Sequence, residues 1–356
     1  MIPVCAERDI IAPVRLAGER GEPLKNQLSR RGMVAGALLA PAAVFAQSKT
    51  AARFWTHEYW AVKATPQGQV KLAMYRKRAA APKAGEKPLP VLVMVHGSSN
   101  SAMSSFDLAT PGKGEYSLMN TFAKLGYDCW TLDHENYGRS TQTDGNSDIA
   151  SGVEDLKAAV EAIAKETGQA KVHMFGESSG AIRAGAYAQA VPARVDRLVL
   201  GAFTYKGENS PTLTERAKQL DYYRTHNRRP RDRAMVRSIF TRDKAGTTDP
   251  SIADFLADQE LKFGDQVPTG TYLDMTSKLP LVDPKKVPGP VLVIRGEYDG
   301  IATMSDLMDF YSQLPGGDKQ FVVVPGVAHN LILSTNRELF WHAMHAFLAM
   351  PKGIVS

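Results

Sequence analysis

A serine flanked by two glycines is the part of the sequence best suited to chemistry. Gly176 and Gly180 each lie two residues from Ser178, in the pentapeptide Gly-Glu-Ser-Ser-Gly. The strand-like residues 171–175 precede this pattern, and the small residues 181–188 follow it as a candidate helix. Strand, sharp turn and helix with serine at the apex are typical of a nucleophile elbow, in which side chains at the glycine positions would collide with the neighbouring backbone. So short a pattern also arises by chance, so its meaning depends on the partners that such a serine needs.

Those partners are a histidine and a carboxylate. A serine hydroxyl becomes a strong nucleophile when a histidine takes its proton and a carboxylate orients that histidine. In elbow enzymes the acid and then the histidine follow the serine in the chain. Asp299 comes after the strand-like residues 291–294, and His329 after residues 320–324. Because the carboxyl ends of parallel strands meet at one rim of a sheet, Ser178, Asp299 and His329 are predicted to meet there.

Both partners have alternatives in the sequence. The Asp299-Gly300 pair also favours a simple turn, and Glu297 is a second candidate acid two residues earlier. Seven other histidines are present, but only His329 combines a position late in the chain with a loop after a strand.

The second requirement is an oxyanion hole, a pair of backbone N–H groups that bind the developing negative charge. One donor is predicted to be Ser179, directly after the nucleophile. The other is predicted in the loop after residues 91–95, at Ser98, with Ser99 as the alternative. His96 in the same loop is expected to brace it by hydrogen bonds rather than to act as a base.

The elements that must position these residues alternate along the chain. Strand-like and helix-like segments in alternation predict an α/β fold with a doubly wound parallel sheet, with the first two strands paired antiparallel at an edge. The predicted strands are residues 54–64, 69–76, 91–95, 127–132, 171–175, 195–200, 291–294 and 320–324. The predicted helices outside the insertion described next are residues 117–125, 151–167, 181–188 and 337–349.

A long insertion separates the sixth and seventh predicted strands. We interpret it as a helical cap at about residues 204–288, with helical pieces at 212–224, 231–241 and 252–262. It would cover the carboxyl ends of the strands, where open α/β sheets bind ligands. The basic stretch 224–237 either steers acidic substrates into the cleft or forms a solvated helical face, and the second interpretation is favoured.

Composition limits the other possibilities. The chain has 356 residues, of which 44% are hydrophobic and 22% charged, so it can bury a large core. The net charge of +6 is spread along the chain rather than concentrated with aromatic residues, so no nucleic-acid partner is predicted. Two cysteines, Cys5 and Cys129, are too few for a disulfide framework. No metal-ligand spacing or phosphate-binding loop occurs, so no cofactor and no metal are predicted.

The N-terminal part of the chain predicts export. Residues 29–34 read Ser-Arg-Arg-Gly-Met-Val, and the weakly apolar run 33–46 ends before Gln47 at a plausible cleavage site. This pattern is typical of a bacterial twin-arginine signal. Residues 1–46 would be that signal with a long leader, 1–28, and the mature protein would be periplasmic or secreted. The run is too short to span a membrane, so no stable membrane insertion is expected after cleavage.

Taken together, these motifs resemble the α/β-hydrolase superfamily over residues 54–350. Residues 132–140 are similar to the family's D-x-R-G-x-G-x-S segment but carry Glu135 and Asn136 where Arg and Gly are usual. The resemblance implies an eight-stranded, mostly parallel sheet with a cap before the acid-bearing strand. A serine at the apex argues against the dehalogenase and epoxide-hydrolase branches, which use an aspartate there.

The function predicted from these residues is an exported serine hydrolase that cleaves small-molecule carboxylic esters. Ser178 would attack the acyl carbon, His329 would carry the proton, and Asp299 would hold the imidazole. The same three residues could cleave an amide or a peptide bond. A non-catalytic binding protein of this fold is a third possibility, although such proteins typically lose one of the three residues. The sequence does not predict an oligomeric state.

Overall fold

A mixed sheet forms the centre of the molecule. The computed structural model describes residues 54–351, and the predicted export signal, 1–46, lies outside the described residues. The strands are β1 (Trp55–Thr65), β2 (Gly68–Arg78), β3 (Val91–Val95), β4 (Asp128–Leu132), β5 (Val172–Glu177), β6 (Val195–Gly201), β7 (Arg228–Pro230), β8 (Gln266–Pro268), β9 (Val291–Gly296) and β10 (Lys319–Val324). Eight of them form one sheet in the order β1-β2-β4-β3-β5-β6-β9-β10. Within this sheet the pairs β1–β2 and β2–β4 are antiparallel and the other pairs are parallel, so the predicted eight-stranded, mostly parallel sheet is confirmed.

The central strands are apolar because they are covered on both faces. Every residue of β3 is buried, as expected for a continuous apolar run in a parallel sheet, and every residue of β4 is buried as well. The edge strand β1 instead keeps most of its residues at least partly exposed. It joins β2 through a tight turn in which Gly68 has a φ of 128°, a conformation that glycine adopts without strain.

Helices cover both faces of the sheet. They are α1 (Ala102–Phe106), α2 (Leu118–Lys124), α3 (Ile149–Thr167), α4 (Ser179–Ala190), α5 (Pro211–Ala217), α6 (Leu220–Thr225), α7 (Arg233–Thr241), α8 (Pro250–Glu260), α9 (Gly270–Ser277), α10 (Met304–Gln313) and α11 (Arg337–Leu348). One apolar cluster includes buried residues of α3, α4 and α10, and a second includes those of α2 and α11. This is the doubly wound arrangement that the alternation of segments predicts.

The insertion between β6 and β9 is helical. It contains α5 to α9 and a small antiparallel pair formed by β7 and β8. The single helix predicted at 212–224 is wrong, since α5 and α6 are separate. Leu213 and Tyr223 would point about 80° apart on one continuous helix, and the break lets both be buried. Helix α9 and the two short strands were not predicted.

No helix in the described range 54–351 is both long enough and apolar enough to cross a membrane.

Candidate active site

The elbow between β5 and α4 holds Ser178 in a strained conformation. Its φ of 60° and ψ of −127° lie where residues other than glycine rarely occur. The Ser178 amide donates a hydrogen bond to the carbonyl of Gly201 at 2.9 Å, which ties the turn to β6. Backbone strain of this kind is maintained only where the surrounding structure enforces it, and it is concentrated at functional sites.

The two glycines of the pattern allow this turn to be tight. A Cβ on Gly176 would overlap the carbonyl of Gly180, and a Cβ on Gly180 would overlap the carbonyl of Val95. The predicted steric role of both glycines is therefore confirmed. Gly97 in the loop after β3 is also close, since a Cβ there would lie 3.2 Å from the Glu177 carbonyl oxygen.

The structure brings the three predicted partners together. His329 Nε2 lies 2.8 Å from Ser178 Oγ, and His329 Nδ1 lies 2.8 Å from Asp299 Oδ1. Because a carboxylate oxygen accepts, Nδ1 carries the proton and Nε2 is left to accept from the serine hydroxyl. Asp299 follows β9 and His329 follows β10, so neighbouring strands bring both residues to the rim where β5 ends.

Asp299 is held as a carboxylate inside the protein. Burial raises the pKa of its carboxyl group, but His329 and the amides of Ala302 and Ile301 outweigh this and lower it overall. Those amides donate to Asp299 Oδ1 at 3.0 and 2.9 Å. Glu297, the alternative acid, is exposed and accepts instead from the Gly326 amide at 2.8 Å. Of the two candidate acids, Asp299 is the one that contacts the histidine.

The two predicted oxyanion donors lie side by side. Ser98 Oγ donates to Ser179 Oγ at 2.7 Å, and the Tyr137 hydroxyl donates to the Ser98 carbonyl at 2.8 Å. Within residues 54–351, neither the Ser98 nor the Ser179 amide donates to another protein group. Ser99, the alternative donor, directs its hydroxyl to the hydroxyl of Tyr272 at 2.7 Å.

His96 braces this loop, as the sequence predicts. Its Nδ1 lies 2.9 Å from the Gly97 carbonyl oxygen, and its Nε2 accepts from the His134 amide at 3.1 Å. Burial, followed by the charges of His134 and Arg183, lowers the pKa of His96 well below its usual value. His96 is therefore neutral and joins the loop after β3 to the loop after β4.

The unusual segment after β4 retains an ordered loop. The Asp133 carboxylate accepts from the amides of Ala102 and Arg139 and from the Tyr75 hydroxyl, at 2.8, 3.0 and 2.8 Å. Glu135, where arginine is usual in the family, forms an ion pair with Lys63 at 2.6 Å. At the position where the sequence departs from the family pattern, Glu135 thus makes an ion pair with β1.

Sequence reasoning missed Glu177, which precedes the nucleophile. One of its carboxylate oxygens accepts from the amides of Leu331 and Ile332, at 2.8 and 3.3 Å. These amides lie just after His329, so Glu177 connects the elbow to the histidine loop. Its position in the pentapeptide could have drawn attention to it, but its partners lie about 150 residues away in the chain.

The interpretation of the basic stretch as a solvated face is wrong for Arg231. This side chain is buried and pairs with the buried Glu260 at 2.5 Å. Arg231 also donates to the Ser99 carbonyl at 3.1 Å, and Glu260 accepts from the Ser101 amide at 2.7 Å. The buried pair therefore fastens the cap to the loop that holds Ser98. Arg224 and Arg237 of the same stretch are exposed, as expected.

A cavity of about 640 Å³ lies under the cap. Ser99, Arg216, Ile239 and Arg242 line both this cavity and the narrower pocket that holds Ser178. The two spaces therefore adjoin, and the larger one has the size of a small-molecule site. Within the described part of the chain no group of three or more His, Cys, Asp or Glu residues could hold a metal ion.

Comparison with protein families agrees with this architecture. The model of the family described as serine aminopeptidase, S33, matches residues 86–336, which is most of the chain. The chain belongs to this family of α/β-hydrolases. None of the curated proteins compared with it matches.

Solved structures of other α/β-hydrolases have the same fold. A bromoperoxidase from Bacillus anthracis is 19% identical with a TM-score of 0.60, and covers 83% of this chain and 100% of its own. A thermophilic esterase from Thermogutta terrifontis is 17% identical with a TM-score of 0.59, covering 82% and 98%. A 2-hydroxy-6-oxo-6-phenylhexa-2,4-dienoate hydrolase from Rhodococcus is 20% identical with a TM-score of 0.57, covering 82% and 100%. At these identities the likeness shows the fold, and the family makes this chain a hydrolase.

Proposed function

We propose that this α/β-hydrolase is a serine esterase that uses Ser178, His329 and Asp299 as its catalytic residues. The observation that carries the proposal is the continuous hydrogen-bond chain from Asp299 through His329 to Ser178, with both distances at 2.8 Å. The strained turn at Ser178 supports it, because such a backbone conformation costs free energy and is concentrated at functional sites.

The reaction follows from this geometry. Ser178 Oγ attacks the ester carbonyl carbon while His329 Nε2 takes the hydroxyl proton, and the Ser98 and Ser179 amides bind the oxyanion. The tetrahedral intermediate collapses, the C–O bond to the alcohol breaks, and His329 gives its proton to the leaving oxygen. Water then attacks the acyl-serine with His329 as base, and the carboxylic acid and free Ser178 are released. Asp299 stabilises the imidazolium formed in each half.

Cleavage of a peptide or amide is the second candidate, favoured by the description of the matching family. An enzyme that selects a free N-terminus needs an unpaired carboxylate to receive the substrate ammonium group. The two carboxylates of the cavity already have cations nearby. Glu215 pairs with Lys218 at 2.5 Å, and Asp243 lies 3.5 Å from Arg242. Neutral or acidic esters fit this cavity better.

We also propose that the protein is exported through the twin-arginine pathway, on the strength of Arg30, Arg31 and the weakly apolar run that follows them. Fractionation of cells expressing the full chain is expected to place the processed protein in the periplasm or the medium. Substituting both arginines by lysine should retain the unprocessed protein in the cytoplasm. Processed protein outside the cytoplasm in that variant would contradict this pathway.

The esterase proposal is tested with p-nitrophenyl esters of increasing acyl length beside aminoacyl anilides. We expect turnover of the esters and a loss of at least about 10³-fold in Ser178→Ala. Ser312→Ala, which removes an exposed hydroxyl on α10, is the matched control and should keep the wild-type rate. Ester turnover that survives in Ser178→Ala would overturn the proposal, and a preference for the anilides would favour the second candidate.

A further inference from the structure

Three arginines of the cap line the cavity beside the nucleophile. Arg216 belongs to α5, Arg229 to β7, and Arg242 directly follows α7. Arg216 and Arg242 also line the narrower pocket that contains Ser178. All three side chains are half-buried, so the protein partly removes the water that would otherwise solvate their charges. The cavity therefore has a cationic wall that begins next to the nucleophile.

Two of these charges have no acidic partner. The guanidinium carbon of Arg216 lies 5.0 Å from the ring centre of Tyr272, and that of Arg229 lies 4.7 Å from the same ring. In the described part of the chain no carboxylate pairs with either arginine. Burial, followed by the positive charge of Arg242, lowers the pKa of Arg216 to about 10. An anion bound between these side chains would offset their mutual repulsion.

Among the described residues, the carboxylates near the wall do not pair with Arg216 or Arg229. Glu215 pairs with Lys218 at 2.5 Å. Asp243 accepts from the Thr212 hydroxyl at 3.4 Å and lies 3.5 Å from Arg242 Nε, so it partly compensates Arg242 alone.

Glu177, the remaining carboxylate of the narrow pocket beside Ser178, accepts from the amides of Leu331 and Ile332. It therefore faces the histidine loop. Arg216 and Arg229 are left as the uncompensated charges.

Part of the remaining lining is aromatic and aliphatic. Met235, Ile239 and Tyr298 line the cavity together with Tyr272. Burial raises the pKa of the Tyr272 hydroxyl, but the charges of Arg229 and Arg216 outweigh this and lower it overall. The positive charges of the two arginines therefore favour negative charge on a group inside the cavity. An arginine fork matches a planar carboxylate and can bind it through two parallel hydrogen bonds.

We propose that Arg216 and Arg229, with Arg242 at the edge, form a carboxylate subsite, and that the enzyme cleaves esters that carry a free carboxylate. This inference rests on the proposed serine esterase function. The scissile carbonyl lies at Ser178, the carbon chain of the substrate contacts the apolar lining, and the carboxylate lies against the arginines. The carboxylate only binds, and no bond to it is made or broken.

The direct test compares substrates that differ in charge. The first pair is 4-nitrophenyl hydrogen glutarate and 4-nitrophenyl pentanoate, with the carboxylate on the acyl side. The second pair is 4-acetoxybenzoate and 4-acetoxybenzamide, with the carboxylate on the alcohol side. We expect kcat/KM of the wild type to favour the carboxylate by about tenfold or more in at least one pair, the effect of one charge-assisted contact.

Substitution of the arginines tests their part in this preference. Arg216→Gln and Arg229→Gln should each lower the charged-to-neutral ratio of kcat/KM by about tenfold, mainly through KM. Arg224→Gln, which changes an exposed arginine of the cap that pairs with Asp221, is the matched control and should keep the ratio. If neither carboxylate ester is preferred, or if Arg216→Gln keeps the preference, the subsite is wrong.

A binding measurement separates this inference from the proposed function. Isothermal titration of glutarate into the Ser178→Ala variant should show binding that is lost on adding Arg216→Gln, with folding of both checked by circular dichroism. Absence of glutarate binding to folded Ser178→Ala would count against the subsite. If turnover depends on Ser178 but does not depend on substrate charge, the esterase proposal is supported and the carboxylate subsite is wrong. Equal turnover with and without Ser178 would overturn the esterase itself.

Discussion

Glu177 accepts the amide hydrogen of Leu331 at 2.8 Å, and this contact connects the nucleophile elbow to the loop that carries His329. The elbow and the loop belong to different strands, so their distance depends on contacts of this kind. Burial, together with the negative charge of Asp299, raises the pKa of the Glu177 carboxyl group to about 7 although the two amide donors act in the opposite direction. Glu177 therefore makes stability depend on pH.

Through Glu177, the free energy of unfolding falls as the pH rises. Since the folded-state pKa is about 7 and the ordinary value is 4.5, folding favours the protonated carboxyl group. The stabilisation that results from this shift is fully present below about pH 4.5, the ordinary pKa of the group. It is lost as the pH rises to about 7, the pKa in the folded state. Glu177→Gln keeps an oxygen acceptor and cannot ionise. Between about pH 5 and about pH 8, the free energy of unfolding of this variant should therefore rise by about 2 kcal/mol relative to that of the wild type.

Urea unfolding of wild type and Glu177→Gln at both pH values measures this gain. Glu297→Gln, which replaces an exposed carboxylate, should show no comparable change. A difference between wild type and Glu177→Gln that is the same at both pH values would show that Glu177 does not titrate in this range.

A methyl group at Gly180 should destabilise the fold. Its Cβ would overlap the Val95 carbonyl, so either β3 or α4 must move. We expect Gly180→Ala to lose about 3 kcal/mol or more of unfolding free energy. Gly317→Ala is the matched control, because a Cβ there meets nothing within 4 Å, and it should change stability by less than about 1 kcal/mol. Thermal unfolding gives the melting temperatures of the two variants. Equal melting temperatures would contradict the steric account of the elbow.

The parts of the site that could be predicted from the sequence depend on short-range order. Residues 91–95 are apolar throughout because β3 is buried on both faces, and such a run is visible without a structure. Ser178, Asp299 and His329 each lie at or just after the end of a strand, and parallel topology then brings them to one rim.

The parts that could not be predicted depend on contacts between distant residues. Arg231 belongs to a basic stretch that resembles a solvated surface, and its partner Glu260 is 29 residues further along the chain. The cationic wall of the cavity likewise combines Arg216, Arg229 and Arg242 from three separate cap elements. Short elements such as β7 and β8 carry no periodic pattern to detect.

Substitution of Asp299 and of Glu297 should show which carboxylate orients His329. Asp299→Asn removes the charge that holds the imidazole, and its amide nitrogen could favour the wrong tautomer of His329. We expect kcat for an ester substrate to fall by about 10³- to 10⁴-fold. Glu297→Gln is the control, since Glu297 contacts Gly326 and not the histidine, and should keep most of the activity. The reverse result would assign the role to Glu297.

The buried pair of Arg231 and Glu260, which lies within the cap and contacts the loop after β3, should matter for stability and for rate. Glu260→Gln leaves the Arg231 charge buried without its ion-pair partner, which typically costs about 3 to 5 kcal/mol. Because Arg231 also donates to the Ser99 carbonyl, kcat should fall as the oxyanion loop loosens. Asp258→Asn breaks the exposed pair with Arg233 and should cost less than about 1 kcal/mol. Equal losses in the two variants, measured by urea unfolding, would contradict this account.

The most direct test of the central claim is whether Ser178 is an activated nucleophile. A fluorophosphonate probe reacts with a serine only when a base withdraws its proton. We expect intact-mass spectrometry of the wild type to show one covalent adduct, located to Ser178 by peptide mapping. Ser178→Ala should show none, while Ser312→Ala should label like the wild type. A folded wild-type protein that stays unlabelled, or an adduct on another serine, would contradict the assignment of Ser178, His329 and Asp299 as the catalytic residues.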